Sequence, residues 1–169
     1  MAIQTISSAG TSQRQVPAAF KKIDWVHGQV NLDIGGGRYD DGTAYLAEQG
    51  VRNYVVDPWN RSLEHNVRAL AAIDARGGAD TVTLCNVLNV IAEPEIRRGV
   101  LQQAYDNLKP GGRCYISCYG GSLSRVGGRS TRGWQNNLPL GAYLEEVLSV
   151  FPDAYRQGAM IVAPKRFRP

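Results

Sequence analysis

The residues best suited to hold a small ligand lie in Val30-Asn31-Leu32-Asp33-Ile34-Gly35-Gly36-Gly37-Arg38-Tyr39-Asp40-Asp41. An apolar run ends near an acid, three glycines follow, and a helix is expected from Asp40 to Gln49. Only glycine turns the backbone sharply at positive φ and leaves space for a ligand against the main chain. The helix would aim its free N–H groups and positive dipole end at that ligand. Spacing narrows the chemistry. A dinucleotide fingerprint puts a third glycine where Asp40 stands, and an aspartate there repels pyrophosphate. A phosphate-cradling loop ends in Gly-Lys-Ser/Thr, which the chain does not contain. What remains is a nucleoside-type ligand without phosphates. Tyr54-Val55-Val56-Asp57 ends a second strand in an acid, suited to ribose hydroxyls. The plainer reading is a glycine-rich turn in an ordinary α/β protein.

Elements that position these residues follow in order. Gln15 to Trp25 carries Val16, Ala19, Phe20 and Ile23 on one side of an expected amphipathic helix, stopped by Gly28. Val51 to Asp57 is the second strand, ended by Pro58. In the helix expected over Arg61 to Ala75, Leu63, Val67, Leu70 and Ala71 fall at helical spacing behind Ser62 as N-cap. Ala79 to Val90 supplies the next strand and its exit. Glu93-Pro94-Glu95 opens a helix with inward Ile96, Val100, Leu101, Ala104, Tyr105 and Leu108. Lys109-Pro110-Gly111-Gly112 turns into a strand over Arg113 to Tyr119. A loop from Gly120 to Leu138, a helix from Pro139 to Val150 and a final strand, Gly158 to Ala163 within Tyr155 to Pro164, complete the chain.

The 169 residues suggest one domain over 15–169, behind a disordered lead over 1–14. A hydrophobic share of 43% and a charged share of 20% are those of a soluble globular protein. No apolar run approaches the roughly 18 residues of a membrane span, and the N-terminus lacks a signal-peptide layout. Cys85, Cys114 and Cys118 fall in expected strands without metal-ligand spacing; buried reduced thiols in a cytoplasmic protein are expected, and a structural zinc is not. The net charge of +4 is small, but Arg125, Arg129 and Arg132 share a stretch without an acid, as do Arg156, Lys165, Arg166 and Arg168. Such runs are either solvated loops or a nucleic-acid surface.

Asp33-x-Gly-x-Gly followed by the strand ending in Asp57 resembles the S-adenosylmethionine site of class I methyltransferases. Helix-Leu108-Lys109-Pro110-Gly111-Gly112-strand is similar to their helix-to-strand turn. The resemblance implies a Rossmann-like three-layer α/β sandwich with a mostly parallel sheet. The interval between Asp57 and Ala79 holds only one helix, so the third, outermost strand of that fold is expected to be absent or vestigial. Asn86-Val87-Leu88-Asn89-Val90-Ile91 with Glu93-Pro94 and Arg97, and Ser130-Thr131-Arg132-Gly133-Trp134-Gln135, resemble methyltransferases found in phages and beside DNA phosphorothioation genes.

The resemblance implies S-adenosylmethionine as cofactor, with Asp33 and the Gly35, Gly36 and Gly37 backbone at its methionine portion and Asp57 and Pro58 at the ribose. It also implies Asn86 facing the sulfonium, and Asp74, Asp80 or a backbone group at adenine. Trp59 covers the adenine or caps the core. Candidates for the acceptor are Asn89 and Tyr119 as catalytic residues and Trp134, Gln135 and Asn136 as binding residues. Tyr119 is a base, a stacking ring or a packing residue; Trp134 stacks on a planar acceptor or anchors its loop. Asn86 is followed by Val87-Leu88 where DNA amino-methyltransferases have Pro-Pro, and no proline precedes a cysteine, so sequence-specific DNA methylation by this chain alone is not expected. The expected function is methyl transfer to a small molecule, nucleotide or nucleic-acid base. The alternatives are a non-catalytic binding protein of the same fold, serving nucleic acid or a protein, and an enzyme that cleaves the cofactor without an acceptor.

Overall fold

A computed structural model gives the structure of residues 3–167; Arg168 of the C-terminal basic run lies outside the described residues. The strands are β1 (Val30–Ile34), β2 (Arg52–Val56), β3 (Ala79–Cys85), β4 (Leu108–Ser117), β5 (Gly128–Ser130), β6 (Gly133–Gln135), β7 (Tyr155–Gln157) and β8 (Met160–Pro164). The α-helices are α1 (Asp41–Glu48), α2 (Leu63–Ala75), α3 (Pro94–Asn107) and α4 (Leu144–Leu148). Six strands form the central sheet in the order β2-β1-β3-β4-β8-β7, with β2 to β4 parallel and β8 and β7 antiparallel. Every residue of β1 is buried, as a central strand covered on both faces requires. Reversal of direction between β1–β2 and β1–β3 opens the crevice in which such sheets bind ligands, at the carboxyl ends of their strands.

No strand lies outside β2 among the described residues, as the short interval after Asp57 required. Side chains of α2 close that edge. Gly35 N–H bonds Val56 O, so Val56 faces β1 and alternation turns Val55 and Asp57 to the other edge. There the His65 ring bonds Val55 O at 2.8 Å, while Asn66 accepts from Asp57 N and donates to Asp57 O, both at 3.0 Å. Using up the free ladder groups protects an edge strand from pairing with another chain. The same missing strand corrects the expected face of α2. Ala69 and Ile73 are buried with Leu70 against them, whereas Leu63 and Val67 are 80% and 56% exposed.

Three other expectations change. The helix expected over Gln15 to Trp25 is one 3-10 turn, Ala18–Lys22, because the Trp25 indole N–H takes Phe20 O at 2.8 Å, the carbonyl a continuing α-helix would use. The final strand is a hairpin, β7 and β8, turned at Gly158 with φ +58°. The loop from Gly120 to Leu138 contains the ribbon β5–β6. Ser62 caps α2 through His65 N–H, and Pro94 starts α3, both as expected.

Arg97, 8% exposed on α3, joins three elements. Its guanidinium bonds Glu146 of α4 at 2.9 and 2.6 Å and the carbonyls of Ile91 and Ala92 at 2.9 Å. Arg97→Met would leave the Glu146 carboxylate and the Ala92 carbonyl without these donors, while Ile91 O keeps Asn136 Nδ2. We predict a loss of about 3 kcal/mol in urea unfolding at unchanged m-value. A loss below about 0.5 kcal/mol would show that water replaces the guanidinium there.

Candidate cofactor and acceptor site

The glycine turn leaves β1 at the carboxyl edge of the sheet, and its three glycines serve different needs. Gly35 and Gly37 have φ of +72° and +79°, which side chains rarely adopt. Gly36 is excluded from carrying one by space: a Cβ there would sit 2.4 Å from Asp33 Oδ2 and 2.8 Å from Val55. Gly37 N–H donates to Asp57 Oδ2 at 2.9 Å, fastening the turn to the end of β2. The Asp57 carboxylate is buried and also accepts from Trp59 N at 2.9 Å, Asn60 N at 3.0 Å and Asn60 Nδ2 at 3.3 Å. Arg61, missed in the sequence, lies along the same turn: Nε donates to Gly37 O at 2.8 Å, and its terminal nitrogen bonds Asp40 at 2.8 Å.

Asp33 is held by a relay across the sheet. Asn31 Nδ2 donates to Thr83 Oγ1 at 3.0 Å, and Thr83 Oγ1 donates to Asp33 Oδ1 at 2.8 Å. Burial pushes the Asp33 carboxyl up to about 7; the Thr83 hydrogen bond opposes the rise, and the nearby charge of Asp57 adds to it.

Residues 3–14, expected as part of a disordered lead, lie over this edge as a strap. Gln4 accepts from Trp59 Nε1 at 3.1 Å and donates to Val90 O at 3.1 Å, bridging the loops after β2 and β3. Thr5 donates its N–H and hydroxyl to Glu93. Ser12 accepts from Arg38 N at 3.0 Å. A cavity of about 360 Å³ opens beside the strap, lined by Arg14, Arg38, Tyr39, Asp40, Asp41 and Ala44.

Asn86 follows β3 with φ +57°, an uncommon conformation for a residue other than glycine. Its Oδ1 accepts from Tyr119 N at 2.8 Å, so the side chain ties the exits of β3 and β4 together. Asn89 is buried, and its Oδ1 has no hydrogen-bond partner. Tyr119 is 65% exposed on the rim. Trp134 donates to Asn136 Oδ1 at 2.7 Å, and Asn136 Nδ2 bonds Leu88 O, Ile91 O and Tyr143 OH, so all of its polar atoms serve the chain itself. Gln135 sits beside them at the end of β6, and Pro58 is exposed beyond β2. Asp80 falls away from this group: it binds Val30 N and Lys109 at the amino end of the sheet, near which Asp74 also lies on the last turn of α2. Neither can reach a ligand on the glycine turn.

A family model described as "Methyltransferase domain" matches residues 15–155. The chain belongs to this methyltransferase family. No functionally curated protein matches it. Solved structures with the same fold include the 1,6-didemethyltoxoflavin-N1-methyltransferase of Burkholderia thailandensis, bound to its substrate and S-adenosylhomocysteine. That match has 20% identity and a TM-score of 0.55, over 83% of this chain and 72% of that one. A SAM-dependent methyltransferase of Methanosarcina mazei matches with 14% identity and a TM-score of 0.56, over 85% and 95%. The T. thermophilus 16S rRNA N2 G1207 methyltransferase, in complex with AdoMet and guanosine, matches with 18% identity and a TM-score of 0.50, over 90% of this chain and 39% of that one.

A methyltransferase of this fold would take S-adenosylmethionine, whose product S-adenosylhomocysteine is bound in the Burkholderia thailandensis structure. The glycine turn of this chain suits a phosphate-free ligand, since the nearest helix opens with Asp40 and Asp41. Asp57 fits less directly, because a ribose hydroxyl must displace one of its four donors, the 3.3 Å contact from Asn60 being the weakest. Asp57-Pro58-Trp59-Asn60 could have been read as an Asx turn, whereas nothing in the spacing announced Arg61 or the strap.

The carboxyl of Asp33 yields a pH prediction. Its folded pKa lies above the ordinary carboxylate value, so its burden on folding is complete above about pH 7 and is relieved as pH falls toward 4. Asp33→Asn should therefore gain stability over the wild type at pH 8, by up to about 4 kcal/mol, and lose nearly all of that advantage by about pH 4. Urea unfolding of both proteins across this range checks it; a constant difference contradicts it.

Proposed function

We propose that this methyltransferase acts on a small molecule, nucleotide or nucleic-acid base that enters between Asn89 and Tyr119 at the carboxyl edge of β3 and β4. The observation that carries the reading is the Gly37–Asp57 contact, which fastens the glycine turn to a buried carboxylate at the carboxyl edge of β1 and β2. In this reading, Asp33 and the Gly35, Gly36 and Gly37 backbone hold the methionine portion. Asp57 holds the ribose with Pro58 beside it, and Asn86 fixes the loops around the sulfonium. S-adenosylmethionine supplies a methyl group already activated by the positive sulfur, so the protein's task is orientation and exclusion of water. Asn89 Oδ1 offers an acceptor for an incoming N–H, and Tyr119 offers an exposed stacking ring with a phenol able to hydrogen-bond the acceptor. Trp134 and Gln135 flank the acceptor, while Asn136 holds their ribbon in place. The free thiols of Cys85, Cys114 and Cys118 support a reducing, cytoplasmic setting. The motifs similar to phage and phosphorothioation-cluster proteins both fall on this acceptor side.

Two observations favour a second reading, a binding protein without catalysis: both carboxylate oxygens of Asp57 are engaged, and Gln4 bridges the loops after β2 and β3. Calorimetric titration with S-adenosylmethionine separates the two. Catalysis predicts one site per chain, with a Kd in the range of roughly 1 µM to 1 mM common for enzyme substrates. Asp57→Ala should then weaken it at least about tenfold. Absence of binding by the wild type would favour the second reading.

A further inference from the structure

The rim on the acceptor side has a composition that methyl transfer itself does not require. From Asp106 to Glu145 the chain has no acid between them, yet it holds Lys109, Arg113, Arg125, Arg129 and Arg132. The last three are exposed and occupy the loop and ribbon that follow β4. No carboxylate lies within ion-pair distance of these three among the described residues. Beside them stand Tyr119, Leu123 and Val126, exposed by 65%, 58% and 70%.

This loop is also held in shape. Leu123 and Arg125 have φ of +58° and +63°, a conformation that costs side-chain-bearing residues energy and persists only when the surroundings fix it. Asn137 does the fixing: Oδ1 accepts from Ser122 N at 3.1 Å, Nδ2 donates to Val126 O at 2.9 Å, and its carbonyl accepts from Arg125 N at 3.0 Å. Arg129 pairs with Trp134 across β5–β6, which puts a cation and an indole on one face of the ribbon.

Resting on the methyltransferase reading above, we infer that the surface over residues 119–132 docks a single-stranded nucleic acid carrying the methyl acceptor. Unpaired arginines bind phosphates, and an exposed aromatic ring offers a stacking face to a base. The rim is short on aliphatic surface for a membrane: Leu123 and Val126 are separated by serine and arginine and flanked by glycines.

The test is fluorescence anisotropy with a labelled RNA of roughly 20 nucleotides and the DNA of the same sequence, in the presence of S-adenosylhomocysteine, from about 50 to 200 mM salt. The comparison is wild type against Arg125→Gln/Arg129→Gln/Arg132→Gln. These arginines touch nothing in the crevice, so calorimetric binding of S-adenosylmethionine by the variant should match the wild type and report its fold. Binding should weaken roughly twentyfold over that salt range, and the variant should lose about two units of the log–log slope. RNA bound in preference to DNA, or both alike, supports the inference and reports whether the 2′-hydroxyl is read. No binding at low salt, or equal binding by the variant, overturns it. Retention on phosphatidylglycerol vesicles without retention of either strand assigns the surface to a membrane and overturns it. Strand binding by a wild type that takes no S-adenosylmethionine overturns it as an acceptor surface and the methyl-transfer reading with it.

Discussion

The Gly37–Asp57 hydrogen bond joins the two crossovers that build the crevice. Gly37 lies on the turn that leaves β1, and Asp57 ends β2. Because the carboxylate is buried, each donor on it is worth more than the same contact in water, and an orphaned one would be costly. The rest of the region is arranged around this contact. Arg61 neutralises the acid-rich turn from below, Asn66 clips the backbone of Asp57, and Thr83 with Asn31 orients Asp33 one strand away. A cradle so thoroughly tied presents its backbone in one shape, which is the condition for binding a neutral sugar and a sulfonium without phosphate anchors.

Economy on one side of the sheet is matched by elaboration on the other. The half-sheet past β2 ends early, with the side chains His65 and Asn66 standing in for a strand, and leaves Leu63 and Val67 in solvent. On the side proposed for the acceptor, Asn136 and Arg97 use buried hydrogen bonds, and Asn137 exposed ones, to hold irregular chain in place. Structure is concentrated where the proposed reading places the acceptor, and Asn89 Oδ1 is buried there without a hydrogen-bond partner.

Local chemistry made much of this legible in advance. The glycine turn, the acids closing β1 and β2, the Ser62 cap, the Pro94 start and the Lys109–Gly112 turn each depend on residues within a few positions of one another. Even the absent outer strand could be inferred, since a segment too short for two elements leaves no alternative. What escaped prediction depends on distant partners. The strap is fixed by Trp59, Val90, Glu93 and Arg38, and no periodicity in residues 3–14 points to them. The face of α2 was misjudged because helical spacing marks an apolar side without saying whether a layer exists to cover it. Asp80 was an acid at a plausible place in the sequence, yet it caps the wrong end of the sheet.

The most direct test of the two-loop cradle is amide hydrogen exchange, read at Gly35–Gly37 and at Trp59–Asn60 with and without S-adenosylhomocysteine. Gly37 N–H should already exchange slowly in the free protein, through Asp57, and the ligand should slow both segments together while changing exchange across residues 4–12. A Gly37 amide that exchanges freely, or a ligand that leaves both loops unchanged while binding elsewhere, would contradict it.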